Sequence, residues 1–191
     1  MFFLSTYNGE KYIEEQLDSI MAQESVEVHI IVRDDGSSDR TVELVSRYNN
    51  IELIKGNNVG CERSFYELLK QRCEADYYAY SDQDDVWMSD KLIAAVEKLE
   101  DDESKPMVYG CNLIACDSKM NPIGLVQRFC SDEEYYCANG NRVFFNVQGC
   151  TLVWNYAMQE NLWKFTPDST VAHHDSWINI LANAKWGEIC I

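Results

Sequence analysis

Three carboxylates follow an apolar segment of the chain in quick succession. Asp82, Asp84 and Asp85 come directly after residues 77–80, which are apolar enough to form a buried strand. Negative charges held this close repel one another, so the cluster is costly unless a cation neutralises it. Carboxylate oxygens suit Mg²⁺ and Mn²⁺, and such ions commonly bridge to substrate phosphates. The cluster therefore predicts a metal site that binds a diphosphate, with a solvated surface group as the alternative.

A second acidic pair, Asp34-Asp35, precedes a glycine and two serines. Taken alone, this pattern favours a turn followed by a helix cap, because Asp, Gly and Ser suit turns for steric reasons. Two more polar segments, residues 5–9 and 56–60, also follow apolar runs. Ligands of open α/β sheets bind at the carboxyl ends of the strands. We therefore expect the four polar segments to converge on one edge of a sheet.

The first half of the chain alternates short apolar runs with amphipathic stretches, which is typical of a βαβ sheet. The apolar spacing predicts strands over residues 2–5, 26–32, 51–54 and 77–80. It predicts helices over residues 10–22, from 38 or 39 to 48, over 64–72, and from 89 or 90 to 99.

The second half of the chain is less regular and richer in aromatic residues. Residues 107–116 and 124–128 are predicted strands joined by a turn, and residues 143–154 form a strand region interrupted at Gln148-Gly149. Helices are predicted over residues 156–163 and 175–184. No linker separates the halves, so we predict a single α/β domain over residues 1–191, with lobes at 1–105 and 106–191.

Charge and cysteine content exclude several classes of partner. A net charge of −16 argues against binding nucleic acid and against simple electrostatic attachment to anionic lipid. The eight cysteines form no CxxC pair, so zinc-site spacing is absent, and reduced thiols in a cytoplasmic protein are expected. No Walker A, GxGxxG or EF-hand pattern occurs.

Four motifs together carry a resemblance to a known family. They are Ser-Thr-Tyr-Asn-Gly-Glu-Lys-Tyr (5–12), Arg-Asp-Asp-Gly-Ser-Ser-Asp-Arg-Thr (33–41), Asn-Val-Gly (58–60) and Ser-Asp-Gln-Asp-Asp-Val-Trp (81–87). In order and spacing they resemble family 2 glycosyltransferases of the GT-A fold, and the last is similar to the bacterial rhamnosyltransferase-like branch. Clear similarity covers residues 3–100, and a weaker match extends to about residue 180. The resemblance implies a Rossmann-like central mixed sheet flanked by helices, with nucleotide-sugar-binding and acceptor-binding halves.

The resemblance also implies roles for individual residues. Asp35 would accept a hydrogen bond from the nucleotide base, with Asp34 beside it. Asp82 and Asp84 match the family's DxD motif: Asp84 would ligate Mg²⁺ or Mn²⁺ directly, Asp82 would lie near the ribose or the metal, and Asp85 would complete the cluster. The other implied donor-binding residues are Thr6, Tyr7 and Glu10, which would line the nucleotide pocket, and Asn58 and Gly60, which would approach the nucleoside. Ser64 stands where many relatives have Asn, which removes one expected nucleoside contact.

The family places a general base late in the chain, before a helix. Asp175 in the segment 173–177 matches it, although an Asp at this point is otherwise an ordinary helix N-cap. His173 and His174 would shape the site rather than ligate metal. Residues 148–151 resemble the family's acceptor-side strand, where a glycine lets the backbone approach the sugar. Trp154, Trp163, Trp177 and Tyr135-Tyr136 are candidate platforms for an acceptor sugar or parts of the core.

The implied activity is inverting transfer of a sugar from a UDP- or dTDP-sugar, with rhamnose the first candidate. The acceptor would be a saccharide or a lipid-linked molecule in bacterial surface polysaccharide synthesis. Relatives continue beyond the point corresponding to Ile191, so we expect the acceptor half to be truncated. The missing segment would bring peripheral association with the inner face of the membrane. Two alternatives remain: a donor-binding domain that is catalytically incomplete, and a sugar nucleotidyltransferase, which would attack the α-phosphate.

Overall fold

A seven-stranded sheet forms the centre of the molecule. The computed structural model describes residues 1–100, 104–127, 147–166, 172–182 and 188–190. The sheet consists of β1 (Phe2–Thr6), β2 (Ile30–Asp34), β3 (Ile51–Lys55), β4 (Tyr77–Ser81), β5 (Met107–Gly110), β8 (Leu152–Asn155) and β9 (Glu188–Cys190). Their order is β3-β2-β1-β4-β8-β5-β9. The first four strands are mutually parallel, and β8 pairs antiparallel with both β4 and β5. The sheet is therefore mixed, as predicted.

Helices cover both faces of the sheet. The six α-helices are α1 (Ile13–Met21), α2 (Thr41–Val45), α3 (Cys61–Leu69), α4 (Lys91–Leu99), α5 (Tyr156–Phe165) and α6 (His174–Leu181) within the described residues. Alternate residues of β1 supply the two cores: Phe2 and Leu4 pack with α1, α2 and α4, whereas Phe3 packs with α3, α5 and α6. This period of two is what a strand buried on both faces requires.

A hairpin lies outside the main sheet. Among the described residues, strands β6 (Leu113–Cys116) and β7 (Pro122–Gln127) form a separate two-stranded sheet. The turn between them is built on Asp117, whose Oδ1 accepts hydrogen bonds from the backbone of Lys119 and Asn121.

None of the helices in the described residues has both the length and the apolar content needed to cross a bilayer.

The predicted second strand began too early. Residues 26–29 are not strand, because β1 begins at Phe2 and β3 at Ile51, and both pair first with Ile30. The alternating valines at 26 and 28 are instead half-buried side chains packed against the core. Apolar alternation alone could not show where the neighbouring strands begin.

Three other predicted boundaries were wrong. Helix α1 begins at Ile13 rather than residue 10, because Gly9 O accepts hydrogen bonds from Tyr12 N and Ile13 N in the preceding turn. Helix α3 lies one turn earlier than predicted, since Ser64 N already donates to Gly60 O. The single strand predicted over residues 107–116 is divided between β5 in the main sheet and β6 in the hairpin.

Candidate active site

The carboxyl ends of β1 and β4 are joined by Gln83. Its Oε1 accepts hydrogen bonds from Thr6 Oγ1 at 2.7 Å and from Tyr7 N at 2.9 Å. A Cβ on Gly9 would lie 2.4 Å from the same oxygen, so glycine is required at that position. The first and fourth polar segments therefore meet, as predicted, and a glutamine that the sequence analysis left without a role connects them.

The end of β2 holds the loop that precedes α3. The carboxylate of Asp35 is 2% exposed and accepts hydrogen bonds from Arg33 Nη1 at 2.5 Å and from the backbone N of both Val59 and Gly60 at 2.9 Å. Arg33 Nη1 also donates to Ser64 Oγ at 2.9 Å. Ser64 thus completes a buried ion-pair network, which explains a small hydroxyl residue at this position. Asp35 is accordingly the anchor of the 56–60 loop.

The two carboxylate oxygens of Asp34 have different surroundings. Its Oδ2 accepts hydrogen bonds from Gly36 N at 3.1 Å and Ser37 N at 2.9 Å, which is the turn that its sequence favours. Its Oδ1 is buried and has no hydrogen-bond partner among the described residues. Glu10 is exposed, and its Oε2 accepts a hydrogen bond from Arg40 N at 3.0 Å, next to the start of α2.

Two of the three clustered carboxylates, Asp82 and Asp85, are withdrawn from solvent, whereas Asp84 is exposed. The candidate ligand atoms of Asp82, Asp85 and Cys150 lie within 4.8 Å of one another. Burial, followed by the charges of Asp85 and Asp84, raises the pKa of Asp82 to about 7. Burial also raises the pKa of Asp85, and its Oδ2 has no partner in the described part of the chain. A carboxylate pair that resists ionisation and keeps a free buried oxygen fits a divalent cation.

A buried lysine stands behind this cluster. Lys91 Nζ donates a hydrogen bond to Cys150 O at 2.6 Å and lies 3.1 Å from the centre of the Trp87 ring. Burial lowers its pKa to about 8, against the opposing charges of nearby groups that include Asp85 and Asp82. The sequence analysis missed Lys91 because it reads as an ordinary residue of an amphipathic helix. The available signal was its place at the first residue of α4, where a positive charge opposes the helix dipole.

Asp175 lies in the first turn of α6, and its Cβ would be 3.6 Å from a Cβ added to Gly149. Its charge contributes to the raised pKa of Asp82. Asp175 Oδ1 accepts a hydrogen bond from Ser176 N at 2.5 Å. Helix α6 is itself preceded by His173, so Asp175 is not the N-cap residue that its local sequence also allowed.

His174 fixes the start of α6 against the donor half. Its ring stacks on Phe65 with 3.9 Å between centroids, and neither nitrogen has a hydrogen-bond partner among the described residues. Burial lowers its pKa to about 4. A Cβ on Gly149 would lie 2.6 Å from His174 Nε2. The glycine predicted to admit a sugar is thus needed for close approach to His174.

The acceptor platforms are only partly described. Trp154 is completely buried between β-sheet and helices and belongs to the core. Trp163 and Trp177 are half-buried, and Tyr135-Tyr136 lie outside the described residues. A groove of about 680 Å³ runs along the outer side of the 56–60 loop, lined by Arg33, Val59 and residues of α3, and does not include the clustered carboxylates.

The sequence model of glycosyl transferase family 2 matches residues 2–162. That span contains every element from β1 to most of α5, including the whole acidic edge. The chain belongs to glycosyl transferase family 2.

Relatives of this family 2 chain include proteins of bacterial surface polymers. It is 36% identical over 121 residues to the dTDP-rhamnosyl transferase RfbG of Shigella flexneri, covering 59% of this chain and 41% of RfbG. The crystal structure of Staphylococcus aureus TarS 1-349 superposes with a TM-score of 0.70 at 20% identity, covering 99% of this chain and 57% of that one. The mannosyltransferase PcManGT of Pyrobaculum calidifontis, solved with GDP-Man and Mn²⁺, gives 0.68 at 20% identity over 99% of this chain and 53% of its own.

These similarities confirm the predicted GT-A architecture. The chain spans about half the length of the proteins it resembles, from 41% of RfbG to 57% of the TarS structure. Within the family 2 fold, the structure brings all four predicted segments to one edge and Asp175 near enough for its charge to act on Asp82. It adds Gln83, Arg33, Lys91 and Cys150, whose contacts cross between segments distant in sequence.

Proposed function

We propose that this chain is the catalytic core of an inverting, divalent-metal-dependent glycosyltransferase. The donor is a UDP- or dTDP-sugar, with rhamnose the first candidate because RfbG is a dTDP-rhamnosyl transferase. The acceptor is a saccharide or lipid-linked saccharide of a bacterial surface polymer, reached at the cytoplasmic face of the membrane. The observation that carries the proposal is the set of Asp82, Asp85 and Cys150 at the carboxyl edge of the sheet, close enough to Asp175 for its charge to act on Asp82.

The donor half would bind the nucleotide along the edge formed by β1, β2 and β4. Asp35 fixes Val59 and Gly60, so that Asn58 and Gly60 are presented in one arrangement to the nucleoside. Gln83 holds Thr6 and Tyr7 beside them. The buried, unpartnered Oδ1 of Asp34 gives this edge a further acceptor for a base or ribose donor.

Asp82 and Asp84 or Asp85 would hold Mg²⁺ or Mn²⁺ beside the diphosphate. When bound, such an ion neutralises the departing nucleoside diphosphate. The chain supplies a fixed arrangement of carboxylates, since the loop after β4 that carries Asp82 and Asp85 is tied to β1 through Gln83 and to α1 through Trp87 N. Preorganised groups of this kind lose little energy to rearrangement during reaction.

Asp175 would take the proton of the acceptor hydroxyl. A general base must approach that hydroxyl to within roughly 3 Å, and a site across the cleft from the diphosphate permits attack from the face opposite the leaving group. Displacement from that face inverts the anomeric centre. The stack of His174 on Phe65 fixes the first turn of α6 and so the position of Asp175.

Calorimetric titration with UDP, dTDP and GDP, each with and without Mn²⁺, tests the donor site. We expect one diphosphate to bind in a metal-dependent manner and Asp84→Asn to weaken that binding. Asp76→Asn, an exposed carboxylate at the opposite end of β4, is the matched control. Failure of every nucleotide to bind would remove the proposal for this chain.

A donor-binding domain without turnover is the second candidate. It uses the same donor-binding edge, formed by β1, β2 and β4, without transfer of the sugar. Chromatography of the products separates the candidates. Free nucleoside diphosphate indicates glycosyl transfer or donor hydrolysis, pyrophosphate indicates nucleotidyl transfer, and unchanged donor in both this chain and a longer one indicates binding alone.

A further inference from the structure

Lys91 is a half-buried cation whose charge opposes the rise in the pKa of Asp82, and it contacts parts of both halves of the chain. It extends from the first residue of α4, lies over Trp87 and donates a hydrogen bond to Cys150 O. A lysine at this position is unfavourable by itself, because burial disfavours the ammonium and the helix dipole repels it. The contacts that offset these costs are the carboxylates, the indole ring and one backbone carbonyl.

The carbonyl that Lys91 holds belongs to a turn between the two halves. Residues Gly149–Thr151 form a single 3-10 turn, closed by a hydrogen bond from Thr151 N to Gln148 O at 3.0 Å. On one side the Cys150 Sγ lies within 4.8 Å of the candidate ligand oxygens of Asp82 and Asp85. On the other side Gly149 packs directly against His174, next to Asp175. A displacement of this turn would therefore alter the metal cluster and the start of α6 together.

We propose that Lys91 is a positioning residue with two roles: a built-in counter-charge for the Asp82–Asp85 cluster, and a tether that sets the Gly149–Thr151 turn against Asp175. The counter-charge keeps the cluster assembled before a divalent ion binds. The tether keeps the proposed base aligned with the proposed diphosphate site. The proposal rests on the proposed function for its catalytic consequence, but the tether itself is a property of the metal-free protein.

Three variants separate charge from tether. Lys91→Met removes both the charge and the hydrogen-bond donor, Lys91→Gln removes the charge and keeps a donor, and Lys91→Arg keeps both. Circular dichroism first establishes which variants fold. If Lys91→Met does not fold, Lys91→Gln and Lys91→Arg still test the charge and the tether.

Mn²⁺ affinity, measured by electron paramagnetic resonance without nucleotide, tests the counter-charge. Because removal of the ammonium makes the cluster more negative, Lys91→Met and Lys91→Gln should bind Mn²⁺ roughly tenfold more tightly, while Lys91→Arg stays near wild type. A residue that acted only in folding would weaken Mn²⁺ binding or leave it unchanged. Either of those results in a folded variant would overturn the counter-charge role.

Amide hydrogen exchange in metal-free protein tests the tether. The Thr151 amide should exchange at least several-fold faster in Lys91→Met than in wild type, and Lys91→Arg should restore protection. Unchanged exchange in Lys91→Met would overturn the tether.

Where donor turnover is measurable, Lys91→Met should lower kcat with the donor KM little changed. Absence of Mn²⁺ binding in wild type would count against the proposed function, and the exchange result would still decide the tether.

Discussion

Asp82 stays protonated at pH values at which a free carboxylate is ionised. Its folded pKa of about 7 lies well above the ordinary value of 3.8. Between pH 3.8 and pH 7 the native protein therefore keeps a proton on Asp82, whereas the unfolded chain has released it. This contribution to stability is full below pH 3.8 and is lost as the pH rises through 7. Above pH 7 Asp82 is ionised in the metal-free site, where the charges of Asp85 and Asp84 repel it.

Asp82→Asn should accordingly stabilise the metal-free protein. We expect the free energy of unfolding to rise by about 1–2 kcal/mol at pH 8, with a smaller change at pH 6. Urea denaturation at both pH values measures it. Glu97→Gln is the control, since Glu97 is exposed on α4 and its replacement should change stability little. A loss of stability in Asp82→Asn at pH 8 would show that the carboxylate is paired rather than repelled.

His174 has the opposite pH dependence. Its folded pKa of about 4 lies below the ordinary value of 6.5. Between these pH values His174 is protonated in the unfolded chain and neutral in the native protein. Stability should fall as the pH drops from 6.5 to 4, by up to about 3 kcal/mol from this group. His174→Phe, which keeps a ring against Phe65, should remove that part of the slope.

The His174 prediction is measured as a difference between variant and wild type, because Asp82 titrates with the opposite sign over part of the same range. Denaturant unfolding from pH 4 to pH 7 gives both curves. His173→Asn is the matched control: the side chain of His173 is 73% exposed. Parallel curves for His174→Phe and wild type would mean that folding does not lower the pKa of His174.

At the scale of elements, the 56–60 loop depends on one backbone conformation. Gly60 has a φ of +87° and nothing within 4 Å of an added Cβ, so a side chain there meets strain but no clash. Gly60→Ala should lower the free energy of unfolding by about 1 kcal/mol and weaken nucleotide binding, since Gly60 N is held by Asp35.

Gly124→Ala provides the comparison for the loop. Gly124, in β7, also has open space around an added Cβ but lacks a positive φ. Thermal unfolding and nucleotide titration of the two variants separate strain from added bulk. Equal effects of the two substitutions would contradict the strain argument.

The elements divide into those that the sequence could predict and those that it could not. The strand at residues 77–80 and the helix beginning near residue 90 were predicted to within about a residue, because apolar period and polar ends coincide there. The start of β2 could not be predicted, since it depends on where β1 and β3 begin. The division between β5 and β6 likewise depends on pairing with β8.

The candidate site shows the same division. The four polar segments were predicted to converge because strand direction alone places them on one edge. Gln83, Arg33 and Lys91 were missed because their roles arise from contacts with Thr6, Ser64 and Cys150, which lie 77, 31 and 59 positions away. The apolar periodicity of a segment does not indicate which distant residue one of its polar side chains will contact.

At the scale of the whole molecule, the net charge of −16 disfavours the compact state through self-repulsion. Added salt screens exposed charges more than a Debye length apart, about 10 Å at 0.1 M. Any divalent salt would therefore stabilise the protein non-specifically, whether or not it occupies the Asp82–Asp85 cluster. Thermal shifts in metal chloride are informative only at constant ionic strength.

At constant ionic strength, Mn²⁺ should still raise the unfolding temperature, because a bound ion stabilises the native state by mass action. A concentration one hundred times the dissociation constant contributes about 2.7 kcal/mol, which is roughly 5–10 °C for a chain of this size. The shift should be lost in Asp85→Asn, which removes a candidate ligand, and kept in Asp18→Asn, which removes an equal charge from the surface of α1. An equal shift in both variants would assign the effect to diffuse charge and leave the cluster without a metal. Loss in Asp85→Asn alone would place the ion at the edge where β1, β2 and β4 end.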